Sequence, residues 1–86
     1  MYILYIVRCA DRTLYTGITT DIERRMHEHN TSPKGARYTR SRRPVTLVYS
    51  QRYRTRSTAS WAEAAMKRMT RQEKLRTVRL SRKLLM

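Results

Sequence analysis

Hydrophobic residues fall in short blocks separated by polar, basic linkers, and the spacing inside each block predicts its element. Residues 2–8 carry Tyr2, Ile3, Leu4, Tyr5, Ile6 and Val7 without a polar break, which predicts a buried strand. Ala10-Asp11-Arg12-Thr13 predicts a polar turn and Leu14-Tyr15-Thr16-Gly17-Ile18 a second short strand, so the two should form a hairpin. Thr20-Asp21-Ile22-Glu23 has the capping-box pattern that opens a helix, expected to reach His29 or Asn30. Residues 31–44 hold Ser32, Pro33, Gly35 and Pro44 among Lys34, Arg37, Arg40, Arg42 and Arg43. They show neither a helical nor a strand period, which predicts a basic loop.

Val45 to Tyr53 sets Val45, Leu47 and Tyr49 against Thr46, Val48 and Ser50, the alternation of a third strand. A polar link over Arg54–Ser57 follows. Ala59, Ala62, Met66 and Met69 then lie on one stripe of a helix from about Thr58 to Met69. Thr70-Arg71-Gln72-Glu73 is a second capping box and starts a third helix, whose basic end, Arg79–Met86, is expected to fray. The order β-β-α-β-α-α is that of an α+β domain, a small three-stranded sheet flanked by helices. The 86 residues read as a single domain with its core over about 2–76 and a basic C-terminal tail over 79–86.

Composition adds a partner. Sixteen Arg and four Lys stand against six Asp plus Glu, a formal net charge of +14. Arg presents a planar fork of donors matched to phosphate oxygens, so the excess points to a polyanion, DNA or RNA. A hydrophobic fraction of 40% argues against wholesale disorder. Two glycines exclude a Gly-rich dinucleotide loop, and the length excludes a TIM barrel. One cysteine, Cys9, and two histidines make neither an internal disulfide nor a metal cluster of their own. The opening apolar run stops at Arg8, too short for a membrane span or signal peptide, so a reduced, cytoplasmic setting is expected.

A few side chains sit awkwardly in this scheme. On the first helix Ile22 and Met26 define the apolar face. Arg25 and His29, four residues apart, fall on or beside it, while Arg24 and Glu28 point outward. A cation so placed pairs with a carboxylate, snorkels to the helix edge or meets a ligand. His29 is either a satisfied structural histidine or part of a site. Tyr5 and Tyr15 lie on paired strands, where they either simply pack or bring their hydroxyls together near the helix start. Among the acids, Asp11 suits the turn, and Asp21, Glu23 and Glu73 suit helix starts. Glu63 either closes a capping box with Ser60 or is the one carboxylate left to hold a cation. A Mg²⁺ ion is satisfied by one or two carboxylates when waters and substrate phosphates complete its shell.

The stretch from Tyr5 to Asn30, which joins two strand tripeptides to the first helix, resembles the GIY-YIG nuclease family in its small single-domain bacterial form. The signature tripeptides read Ile3-Leu4-Tyr5 and Tyr15-Thr16-Gly17 here, with Ile3 where the family has Gly, a change in backbone packing that spares the Tyr hydroxyl. The resemblance covers about residues 2–76. It implies divalent-metal-dependent, endonuclease-type phosphodiester hydrolysis of nucleic acid, DNA ahead of RNA, by a one-metal mechanism. The implied catalytic residues are Tyr5, Tyr15, Arg25, His29 and Glu63. Glu63 would bind Mg²⁺ or Mn²⁺, and Arg25 would stabilise charge on the phosphoryl group. Tyr5 would position or deprotonate the attacking water, which requires Arg25 or the metal to favour its phenolate. Tyr15 would line the same pocket, and His29 would accept or relay the proton. Gly17, permitting close backbone approach at the strand end, would contact nucleic acid together with Arg37, Tyr38, Arg40, Arg42, Arg43 and Lys67. No membrane partner is implied, and the chain would act as a monomer or dimer.

The alternative is a non-catalytic basic DNA- or RNA-binding module on the same fold. It fits the charge equally well but leaves the joint presence of the five residues unexplained. A basic tail on a ribosome or membrane surface fits less well, since Leu75, Val78, Leu80 and Leu84 form only a modest apolar face. Affinity for nucleic acid, followed by fluorescence anisotropy, is expected to fall linearly with salt on logarithmic axes with a steep slope. A flat response would remove nucleic acid as the partner.

Overall fold

The computed structural model describes residues 1–85. Three strands, β1 (Tyr2–Arg8), β2 (Leu14–Thr19) and β3 (Thr46–Tyr53), form an antiparallel sheet in the order β2-β1-β3. Helices α1 (Ile22–Thr31) and α2 (Arg37–Arg40) precede β3, and α3 (Arg56–Arg68) and α4 (Arg71–Leu85) follow it. The expected order holds, with one short helix added. Among the described residues no helix is long and apolar enough to cross a membrane.

The unbroken apolar run of β1 reflects its central place, covered on both faces. Leu4 and Ile6 pack on one face against Met66 of α3 and Val78 of α4. Tyr5, Val7 and Cys9 pack on the other with Val45, joined by Tyr15, Ile22 and Met26. The β1–β2 turn is closed by the Cys9 amide on the Thr13 carbonyl at 2.8 Å, and Asp11 accepts from both the amide and the hydroxyl of Thr13.

Several boundaries move, each for a local reason. The cap of α1 is Asp21 and not Thr20: its carboxylate accepts from the Arg24 amide at 3.1 Å, while the Thr19 hydroxyl accepts from the Asp21 amide. The loop read as aperiodic contains α2, a single turn in which the Ala36 carbonyl accepts from the Thr39 and Arg40 amides. One turn is too short to leave a hydrophobic period. The alternation expected in β3 breaks at a bulge: Ile6 pairs with Tyr49 and Val7 with Leu47, so Val48 is left over. Val48 and Tyr49 therefore both pack on the Leu4–Ile6 core, and Leu47 is turned outward.

Helix α3 starts two residues early because Thr55 caps it, accepting from the Thr58 amide at 3.2 Å. Glu63 thus lies two turns inside the helix, and a capping box with Ser60 is excluded. The Thr70–Glu73 box does form: Glu73 accepts from the Thr70 amide at 2.9 Å and Thr70 from the Glu73 amide at 3.2 Å. The segment expected to fray is helical through Leu85, and Met86 lies outside the described residues.

Two polar clamps hold the 32–45 segment against α1. The Asn30 side chain accepts from the Val45 amide at 2.7 Å and donates to the Val45 carbonyl at 3.2 Å. The Arg43 guanidinium donates to the carbonyls of Glu28, His29 and Ser32 at and just past the end of α1, where the Glu28 carbonyl also accepts from the Ser32 cap amide. These clamps bring α2 over the end of α1.

Candidate active site

Tyr5 and Gly17 are direct cross-strand partners, so any side chain at 17 would share a face with the Tyr5 ring. A Cβ built on Gly17 would lie 2.5 Å from the Tyr5 hydroxyl oxygen and 2.6 Å from Cζ. Gly17 is therefore required for space: its φ is negative, and the ring lies across β2 where a side chain would stand. This refines the expected reason for the glycine, which was approach of a ligand to the backbone.

The Tyr5 hydroxyl then meets α1. It lies 2.7 Å from His29 Nε2, and both side chains are fully buried. His29 Nδ1 lies 2.9 Å from Thr39 Oγ1 of α2, and that hydroxyl donates to the Ala36 carbonyl at 2.9 Å. Thr39 Oγ1 thus accepts a hydrogen bond from Nδ1–H, which leaves Nε2 as the acceptor and Tyr5 as the donor. The opposite tautomer would rely on the longer 3.4 Å contact from the Ala36 amide. The result is a directed chain, Tyr5 to His29 to Thr39 to a backbone carbonyl.

Burial pushes the Tyr5 phenol up to about 12, against the pull of the Arg25 guanidinium beside it, and the charges of Tyr15 and Glu63 add to the rise. Arg25 acts in the expected direction, yet desolvation wins and Tyr5 is a neutral phenol at pH 7. His29 is pushed down to about 4, first by burial and then by the Arg25 charge, so it is a neutral acceptor at pH 7. The pair is a proton relay at rest and not a preformed phenolate.

Arg25 itself is half-buried. Its Nη1 donates to Glu28 Oε1 at 2.9 Å and to the Lys34 carbonyl at 3.0 Å. Glu28, expected to point outward, instead folds back to pair with Arg25, which holds its carboxyl below the ordinary range. The i to i+3 spacing was the available signal for this pair. Glu63 comes from α3, and its charge is felt at the Tyr5 hydroxyl. Its carboxylate is about one-quarter exposed and lies 3.4 Å from Lys67 Nζ. Tyr15 packs edge-on to His29 at 5.5 Å between ring centroids and stacks on Tyr38 at 5.8 Å.

The structure thus brings Tyr5, Tyr15, Arg25 and His29 together, with the charge of Glu63 felt at the Tyr5 hydroxyl. The residues expected to contact nucleic acid divide. Arg37, Tyr38, Arg40 and Lys67 are exposed. Arg42 donates to Asp11 at 3.0 Å, with its guanidinium 3.9 Å from the Tyr38 ring centroid, and Arg43 holds the end of α1; both are committed to the fold. Thr39 was not singled out from the sequence, because a one-turn helix inside a basic loop leaves no period to mark its buried side.

No group of three or more His, Cys, Asp or Glu gathers among the described residues. Among the acids, Glu63 is the one whose charge is felt at the Tyr5 hydroxyl, and its partly exposed side chain leaves room for waters. That donor set suits a hard oxygen-seeking ion such as Mg²⁺ or Mn²⁺, and does not suit a closed zinc site.

A family profile described as the GIY-YIG catalytic domain matches residues 1–76. A UPF0213 protein of Desulfotalea psychrophila is 58% identical over 82 residues, spanning 95% of this chain and 74% of its own length. A UPF0213 protein of Streptococcus agalactiae is 53% identical over 72 residues, spanning 84% and 81%. The solution NMR structure of a UPF0213 protein from Bacillus halodurans is 40% identical with a TM-score of 0.60, over 93% of this chain and 85% of that one.

Two outcomes are expected. Gly17→Ala should displace the Tyr5 ring, lower stability by about 1–3 kcal/mol and abolish the Tyr5–His29 bond, read from thermal melts and the His29 imidazole resonances. In the second, His29 protonates near 6.5 when unfolded but near 4 when folded. Stability should be complete above about pH 6.5 and fall by about 3 kcal/mol as pH drops toward 4, because only the unfolded state takes up the proton. Urea midpoints from pH 6.5 to 4.5 should slope in the wild type and flatten in His29→Gln.

Proposed function

The chain belongs to the GIY-YIG catalytic-domain family, and on that premise we propose that it is a divalent-metal-dependent endonuclease acting on nucleic acid, DNA ahead of RNA. The observation that carries this reading is the buried Tyr5–His29–Thr39 chain, with the Arg25 guanidinium beside the Tyr5 hydroxyl and the charge of Glu63 felt there.

The chain's own groups perform the proton work. The attacking water gives its proton to the Tyr5 oxygen as Tyr5 passes its own to His29 Nε2, so no free phenolate accumulates. Thr39 holds the ring so that Nε2 faces Tyr5 throughout. Arg25, partly desolvated, donates to the phosphoryl oxygens as charge builds on them, exchanging its contact with Glu28 for the substrate. Tyr15 keeps the relay dry by covering the edge of His29. Glu63 would hold the divalent ion, whose chemistry would be to neutralise the charge that builds during phosphodiester hydrolysis. Lys67 yields that carboxylate and, with Arg37 and Arg40, faces the phosphate backbone.

With a labelled panel of DNA and RNA substrates in Mg²⁺, Mn²⁺ or EDTA, cleavage is expected only with metal. Glu63→Ala should remove it while leaving binding intact or tighter, and Tyr5→Phe should slow it by about 10²–10⁴-fold. Binding without cleavage in the wild type, or cleavage persisting in Glu63→Ala, would favour the non-catalytic binding module.

A further inference from the structure

Trp61 is the chain's only tryptophan and is 83% exposed. It stands on the face of α3 that also carries Thr58, Ala62 and Ala65, the helical i, i+3, i+4, i+7 stripe, continued at i+10 by Arg68. With Tyr53 at the end of β3, these residues line an open, mainly apolar cavity of about 380 Å³. A large aromatic side chain left in water on the wall of an apolar groove marks a surface that something covers.

The surrounding charge selects the occupant. Arg68 sits in the groove wall, Arg56 opens the same helix, and neither is in an ion pair among the described residues. In a chain of net charge +14 this is a flat aromatic surface set in a positive field. A nucleotide answers both features: the base stacks on the indole and the phosphate meets the guanidinium. In a duplex the base faces are covered by their neighbours, so only an unpaired base can enter.

We propose that the Trp61 groove is a stacking site for an unpaired base in a single-stranded segment next to the cleaved phosphate. The proposal rests on the nucleic-acid reading above and names the substrate class. Glu63 lies two residues further along α3 on the opposite side, about one helix diameter or ~10–12 Å away. A strand of a few nucleotides spans that distance around the helix. The site would make the chain prefer single-stranded, frayed or branched substrates over intact duplex.

Because Trp61 is the only tryptophan, its fluorescence reports on the groove directly. In EDTA, where cleavage is suppressed, the full chain would be titrated with a short oligothymidylate and with a duplex of equal length, following Trp61 emission and, in parallel, anisotropy of the labelled nucleic acid. Saturable quenching by the single strand but not the duplex is expected. Trp61→Ala should weaken single-strand binding about 5- to 100-fold, Trp61→Phe should retain most of the affinity, and duplex affinity should be unchanged. Single-strand binding without quenching, or with unchanged affinity in Trp61→Ala, would overturn the stacking site while leaving the nucleic-acid reading intact. Absence of binding to either nucleic acid would overturn both. An emission shift that depends on protein concentration alone would overturn the proposal in favour of a second copy of the chain.

Discussion

A phenol ring lying across a neighbouring strand at contact distance needs a strand position without a side chain, and β2 supplies it at Gly17. Much of the surrounding structure depends on that placement. The ring carries its hydroxyl toward the sheet edge, into surroundings dry enough that an unpaired oxygen would cost about 1–3 kcal/mol. His29 satisfies it, which fixes the end of α1 against the sheet, and Thr39 then satisfies His29, which fixes α2 against α1. The clamps by Asn30 and Arg43 hold the same elements from outside. The polar chain and the fold around it specify one another.

With only six carboxylates, the chain spends each in a defined place. Asp21 and Glu73 close helix starts, Glu23 lies in the first turn of α1, Asp11 fastens the hairpin turn to Arg42, and Glu28 balances the half-buried Arg25. Glu63 is the one acid whose charge reaches the Tyr5 hydroxyl from the other helical layer. The same scarcity leaves the exposed arginines of α2 and α3 largely uncompensated, which is the condition a phosphate backbone requires.

Helix α3 presents three different surfaces. Ala59 and Met66 bury against the sheet, Glu63 pairs with Lys67 and its charge is felt at Tyr5, and Trp61 faces open water over an apolar groove. A helix has room for such a division because residues two apart lie on nearly opposite sides. One rigid element therefore couples the core to two functional surfaces at a fixed spacing.

The sequence by itself determined the strands, the major helices, the hairpin and the basic character, because strand and helix periods and capping boxes are local patterns that survive in a linear chain. It also marked Arg25, His29 and Glu63, whose charge or polarity conflicts with their helical positions. Only the tertiary structure decided the rest. The bulge at Val48, the single turn of α2 and the caps at Asp21 and Thr55 depend on which backbone groups find partners in space. That Thr39 orients His29, that Glu28 turns inward, that Arg42 and Arg43 serve the fold, and that Tyr5 stays protonated despite Arg25 all follow from burial and three-dimensional proximity. Desolvation depends on what surrounds a group from every side, and a linear pattern records only its neighbours along the chain.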